Sequence, residues 1–282
     1  MNDRLPVARV AIPYRPRCSV TLHQAGACRG FLLRGRTRAE RGRIVSGVGT
    51  ELTEIAEDIY RISTYVEPAD LVFNQFLIVA EQPLLWHCGH RQLFPSVLET
   101  LARVLPPAEL RWISFGHVEA DELGAMNHWL GVAGRAAVVQ GSTGVLVSVN
   151  DLADRPPRAL RDEEVLDLGG KRVRWIDTPH VPHGWDAGLI YEETTRTLFA
   201  GDLFTMTGRV PARTEGDIVT PAIATEDRGG ASAVTPASGE TLRRLASVGA
   251  TTMALMHGPA FSGDVLCALG ALADDFDRRL RS

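Results

Sequence analysis

Four times along this chain a short apolar run ends abruptly in a histidine or an aspartate. RWISF passes into GHVEADE, RVRWID into TPHVPHGWD, TLFA into GD, and TTMALM into HG. Short runs rich in β-branched and aromatic residues read as buried strands, so each of these polar side chains falls just past a strand end. Loops that leave one edge of a layered sheet protein converge, and residues far apart in sequence can then share one pocket. The pattern therefore predicts a layered sheet fold with a polar centre at one edge.

Between those points, strands and helices follow one another. IAEDIYRISTY and FNQFLIVAEQPLLW read as a strand series from about residue 53, with a turn at Glu81-Gln82-Pro83. In HRQLFPSVLETLARVL, residues Leu93, Val97, Leu98, Leu101 and Val104 recur at helical spacing, with Pro95 in the first turn. DELGAMNHWLGVA reads as a helix with Asp121 near its start, and AAVVQ and VLVSV read as strands. In the second half, KRVRWIDT, GLIYEE and TLFAGD are strands joined by short turns, and residues 205–235 form a long irregular segment. SGETLRRLASVG is a helix with Ser238 as its N-cap, TTMALM is a strand, and SGDVLCALGALADDFDRRL is a closing amphipathic helix. Two halves, each running from strands into a helix, predict two sheets face to face with helices outside.

The composition, 45% hydrophobic and 23% charged residues with 27 Gly and 16 Pro, is that of a folded protein with many loops. The net charge of -4 conceals an asymmetry: residues 1–50 hold ten Arg against Asp3 and Glu40, leaving the excess of acid on the rest. That stretch lacks helical or strand periodicity and is expected to be a disordered basic extension, with the folded domain at 51–282. A nucleic-acid tail, a targeting sequence and an over-long reading frame are the readings open to it. Only Tyr14 and Phe31 stand among its arginines, too few for the aromatic interleaving of a nucleic-acid platform, so no nucleic-acid partner is expected. No run reaches the ~18 apolar residues of a membrane span and no apolar signal core follows the N-terminal charges, so a cytoplasmic protein without a membrane partner is expected. Cys18, Cys28, Cys88 and Cys267 form no C-x-x-C pair and read as incidental.

The side chains expected to converge are His117, His180 and His257 with Glu119, Asp121 and Asp202, and Glu122 as a fourth acid. So many carboxylates at close range would repel one another without cations. Two divalent metals about 3.5 to 4 Å apart suit the set, because one Asp can bridge them. Taken alone, Glu119 and Glu122 would be solvated loop charges and Asp202 a turn residue. His23, His87, His90 and His128 stand outside the four clusters and are not counted as ligands.

These residues resemble the metallo-β-lactamase superfamily, and within it the diiron branch of the flavodiiron proteins and oxygen-binding diiron sensor proteins. The resemblance runs over about residues 53–275 and implies an α+β, four-layer αβ/βα sandwich of two mixed sheets with outer helices. The hydrolytic branch carries H-x-H-x-D-H where this chain has His117-Val-Glu119-Ala-Asp121, the H-x-E-x-D of the diiron branch. A carboxylate in place of an imidazole makes that site harder and shifts preference towards iron or manganese. TPHVPHG resembles the T-P-G-H-x-P-G loop with one Gly missing, which assigns His180, with His183 second. LFAGD matches the strand ending in the bridging Asp202, and LMHGP the H-G-P that holds His257. The resemblance thus implies one metal on His117, Glu119 and His180, another on Asp121 and His257, and Asp202 between them. Glu122 stands where the family often has His, open to ligating the second metal, bonding a metal-bound water or facing solvent. FNQFLIV resembles the early N-x-Y-L-I strand, and His87 takes the place of the usual following Asp as a supporting residue.

What the resemblance implies is a stand-alone diiron protein that binds or reduces O2 or NO, with electrons from a separate partner, or that senses oxygen. The ~25 residues after His257 leave no room for an on-board flavin domain, and stand-alone relatives of this kind imply a homodimer. The second reading is a metal-dependent hydrolase with zinc or manganese, acting on an ester, thioester, lactone or phosphodiester through a metal-bound hydroxide that Asp202 orients. Asp202 and Glu122 are the candidate catalytic residues. A scaffold without chemistry is the third. Segment 205–235 can cover the site, with Trp185, Phe204 and Met206 as lining.

Overall fold

Strand alternation sets the layers in the computed structural model, which describes residues 49–281. The expected basic extension, with Cys18, Cys28 and His23, lies outside the described residues apart from Gly49 and Thr50. The first sheet runs in chain order: β1 (Thr50–Ala56), β2 (Ile59–Val66), β3 (Leu71–Ile78), β4 (Leu84–Trp86), β5 (Trp112–Ser114), β6 (Ala137–Gly141) and β7 (Arg158–Leu160). Its first four strands pair antiparallel and β4 to β7 pair parallel. The second sheet takes β8 (Val165–Asp167), β9 (Arg172–Asp177), β10 (Gly188–Glu192), β11 (Thr197–Gly201), β12 (Arg213–Thr214), β13 (Thr252–Leu255) and β14 (Ala260–Phe261), in the order β12-β14-β13-β11-β10-β9-β8. Both sheets are mixed, since β11 and β13 are parallel within the second.

Successive side chains of a strand face opposite sides, and here they sort into separate cores. On β3, Phe73 and Leu77 join Val97, Leu101, Met126 and Trp129 in an outer core beneath the helices α1 (Phe94–Leu101), α2 (Ala120–Leu123) and α3 (Met126–Val132). Phe76 and Ile78 of the same strand point inward to Trp86, Trp175, Phe199 and Ala254, filling the space between the sheets. The short helices α4 (Ser142–Gly144) and α5 (Asn150–Leu152) flank a π-helical turn, and α6 (Val219–Gly229), α7 (Ser238–Ser247) and α8 (Val265–Arg281) complete the set. Leu189, Leu198 and Met253 of the second sheet pack outward against Leu242, Leu245, Leu269 and Phe276 of α7 and α8. The result is the expected helix, sheet, sheet, helix sandwich.

Local expectations fail where tertiary contacts override propensity. VLVSV is helical, Val145–Val149, despite its β-branched residues. Only Val145 and Val149, four apart, are buried, whereas Leu146 is 77% exposed. The helix expected over DELGAMNHWLGVA breaks at Gly124-Ala125, because the Ala125 N–H bonds the Gly89 carbonyl rather than continuing the helical ladder. The irregular segment 205–235 contains α6, and Ser238 opens α7 without capping it, its hydroxyl accepting instead from the Thr235 N–H.

Candidate metal centre

The first sheet contributes its part of the centre through the loop after β5. Gly116 fits there because a Cβ would stand 3.0 Å from the Gly188 carbonyl and 3.1 Å from Glu122 Oε2. His117 and Glu119 follow, Glu119 extended (φ -137, ψ 153), before α2 begins. Neighbouring residues on a helix point about 100° apart, which separates Asp121 from Glu122. Asp121 faces His257, with its Oδ2 3.2 Å from Nε2. Glu122 turns back and is fully buried: its Oε2 accepts the N–H groups of Gly116 (2.5 Å) and His117 (2.8 Å), and its Oε1 lies 3.3 Å from His117 Nδ1.

The second sheet contributes the loops after β9, β11 and β13. Asp202 follows Gly201 at the end of β11, and His257 follows β13. The His257 segment is clamped to the first sheet. Asn74 on β3 donates its side-chain amide to the Leu255 and Gly258 carbonyls, both at 2.8 Å, and its N–H to Met256. His257 Nδ1 lies 2.9 Å from the Val72 carbonyl, a bond that directs Nε2 towards Asp121 and Asp202. Asp186 ties the loops together by accepting the Val118 N–H, and the Gly188 N–H bonds the Gly116 carbonyl.

Two sets of donor atoms result. His117, Glu119, His183 and Asp202 each offer one atom within 4.8 Å of the others, and so do Asp121, Asp202 and His257. Asp202 belongs to both. Its Oδ2 lies 3.2 Å from His183 Nε2 and 3.7 Å from His117 Nε2, while its Oδ1 lies 3.3 Å from His257 Nε2. Glu119 Oε2 lies 2.9 Å from His117 Nε2 and 3.0 Å from His183 Nε2.

Protonation follows from this crowding. Burial disfavours charge on His117, yet Glu122, Glu119 and Asp202 outweigh it and lift its pKa to about 11. Burial is likewise outweighed at His257 by Asp121 and Asp202, giving about 10. Hydrogen bonds to Asp202 and Glu119 raise His183 to about 9, and those from His117 and His183 lower Glu119 to about 2. At Asp202, burial is overcome by His183 and His257, which hold its carboxyl well below the usual range. Protons on imidazoles thus stand between the acids, in the places cations would take. The donor set fits metal ions: imidazole and carboxylate atoms converge, and Asp121 Oδ1 is buried without a hydrogen-bond partner.

Two expectations need correction. His180 is exposed and stands outside both sets; its backbone is left-handed (φ 66) with its N–H bonded to the Gly184 carbonyl. His183 takes its place beside Gly184 (φ 81), where a Cβ would meet the His117 Cβ at 3.3 Å. That glycine, tight against His117, is the signal that separates the two histidines. Glu122 lies behind His117 and faces neither solvent nor the second donor set, which removes two of the positions expected for it. His87 is fully buried with Nε2 3.4 Å from Glu122 Oε1 and Nδ1 3.3 Å from the Asn74 carbonyl, and burial lowers its pKa. Of the suggested lining residues, Phe204 borders the cavity beside the centre, whereas Trp185 is 59% exposed and Met206 packs into the core between the second sheet and its helices.

The ODP family beta lactamase model matches residues 71–220, more than half of the chain, including every residue of both donor sets except His257. The chain belongs to this family. The ODP family match agrees with the loop resemblance and puts the chain in the metallo-β-lactamase superfamily, on its diiron branch. Putative diflavin flavoprotein A 3 of Nostoc sp. PCC 7120 is 28% identical over 137 residues, covering 48% of this chain and 24% of that protein. Putative diflavin flavoprotein A 1 of Thermosynechococcus vestitus is 30% identical over 135 residues, 47% of this chain and 23% of that protein. The chain therefore spans about a quarter of the length of these relatives. Among solved structures, rubredoxin oxygen:oxidoreductase of Desulfovibrio gigas superposes with a TM-score of 0.70 at 16% identity, covering 80% of this chain and 62% of that one. The metal-soaked Flv1 flavodiiron core of Synechocystis sp. PCC6803 gives 0.70 at 20% identity, covering 84% and 63%. These likenesses establish the fold of the ODP family chain.

Proposed function

We propose that this chain is a binuclear iron protein that binds or reduces O2 or NO, using electrons from a separate partner or acting as a sensor. The carrying observation is Asp202, whose two oxygens face different donor sets, as a carboxylate shared by two metals would. His117, Glu119 and His183 would hold one metal with Asp202, and Asp121 and His257 the other. Two irons supply one-electron chemistry that zinc lacks. Around them, Glu122 and the Val72 carbonyl fix which nitrogens of His117 and His257 face the centre, and Phe73 and Phe204 border it with apolar surface. Glu119 in place of an imidazole supports iron over zinc, and the solved relatives, an oxygen:oxidoreductase and a flavodiiron core, support the substrate.

The test is anaerobic reconstitution with Fe(II), iron counted per chain, then a single mixing with O2 or NO while the gas is followed. Two irons per chain and gas loss in proportion to iron are expected. Retained zinc with turnover of a lactone or thioester, and no gas loss from the iron form, would overturn the reading in favour of a hydrolase.

A further inference from the structure

Beside the donor sets lies a cavity of about 370 Å³. O2 and NO are little larger than a water molecule, whose share of liquid volume is about 30 Å³, so the chamber is roughly ten times what they need. It falls instead in the range of small-molecule sites. Phe73, Phe204, Ala222, Leu272 and Phe276 supply apolar wall, much of it from α6 and α8.

The polar side chains on that wall are already satisfied. Glu226 accepts the Ser232 N–H and hydroxyl, Thr225 donates to the Pro221 carbonyl, and Thr205 donates to the Asp202 carbonyl. Away from the donor sets, His90 is the exception; its ring lies 5.0 Å from that of Phe73. A ligand meets free polar partners at the metal end and at His90, and apolar surface elsewhere. Phe73 also stands edge-on to His257, with ring centroids 5.0 Å apart, so the apolar wall begins at the donor atoms themselves.

We propose that this chamber binds a small organic molecule with an apolar, aryl-sized body and a single oxygen-bearing head group directed at the metals. The inference rests on the binuclear reading above and adds an organic ligand to it. Phenylacetate is a suitable probe, with acetate as the head group alone, and dissociation constants are read by ligand-observed NMR on the iron-loaded full chain. Burial of the ring should make phenylacetate at least about tenfold tighter than acetate. Ala222→Trp fills the chamber and Ala231→Trp narrows its exposed rim; in whichever variant folds, the advantage should fall below about threefold. Phenylacetate no tighter than acetate on a chain carrying two irons would overturn this inference and leave the binuclear reading standing, as would an advantage that survives both variants. A chain that takes up no metal overturns both.

Discussion

Replacing Asn74 by Leu tests the clamp that carries His257 across the sheets. The side chain is fully buried and its amide donates to two carbonyls, Leu255 and Gly258, each at 2.8 Å. Leu keeps the branched shape of Asn but is bulkier, so overpacking can only add to the polar loss reckoned next. Gly258 keeps a second donor in Arg61, at 3.3 Å, so its loss is about 0.5–1 kcal/mol; the Leu255 carbonyl is left in the interior for about 1–3 kcal/mol. Asn74 Oδ1 has no partner, and its removal offsets part of this. The balance is about 2–3 kcal/mol, or roughly 4–12 °C in melting temperature for a domain of this size. Metal-free protein in chelator, followed by circular dichroism, isolates the clamp from any metal contribution. His257 keeps its Val72 bond, so the loop should be loosened rather than lost, and iron content after reconstitution should fall from two towards one. A melting shift under about 2 °C would refute the reasoning, since the two carbonyls would then have found other partners at no cost.

His183→Ala should weaken the first metal at least about tenfold while His180→Ala leaves it unchanged, read by competition with a chromophoric chelator; equal losses would undo the assignment. Glu122→Gln exchanges a carboxylate that accepts two backbone N–H groups and lies against two imidazoles for a neutral amide, and should cost about 1–3 kcal/mol by urea unfolding together with ten- to hundredfold weaker metal binding. In the metal-free protein, His183, His257 and His117 are raised from 6.5 to about 9, 10 and 11, so their contribution is full below pH 6.5 and lost as pH rises through 9 to 11. Glu119, lowered from 4.5 to about 2, contributes above pH 4.5 and loses that contribution as pH falls towards 2. Urea midpoints in chelator should therefore decline on both sides of about pH 5 to 6.5; a midpoint that climbs between pH 7 and 10 would contradict the protonation described.

The layers were legible because an apolar run cut off by a polar residue is a local signal, and RWISF, TLFA and TTMAL are strands at those places. What escaped is what depends on distant partners. Two histidines share the TPHVPHG loop, and spacing alone does not say that the one before Gly184 packs against His117. Asn74 reads as a polar interruption in a strand until the Leu255 and Gly258 carbonyls are found opposite it. Glu122 differs from Asp121 only by the helical turn that begins at Ala120, and that turn sends one carboxylate to His257 and the other behind His117. The helix α6 went unread because VTPAIATEDRG is poor in apolar residues and buries only Ala222, so no periodic stripe marks it.

Neither sheet can make a donor set alone. His117, Glu119 and Asp121 leave β5 of the first sheet, whereas His183, Asp202 and His257 leave β9, β11 and β13 of the second. Each donor set nonetheless takes members from both. The face-to-face packing of Trp86, Trp175 and Phe199 must therefore bring the loops together before any cation can bind all its donors, and a cation once bound would tie one sheet to the other. In its absence the same acids are held by protonated imidazoles, which explains how three carboxylates from two sheets can crowd one edge of the sandwich without driving it apart. Glu122 sits outside that exchange: with two backbone N–H groups and the far nitrogen of His117 as partners, its place is filled whether protons or metals occupy the centre. A carboxylate so placed holds the Gly116 and His117 N–H groups and faces the His117 Nδ1, and both donor sets form without it.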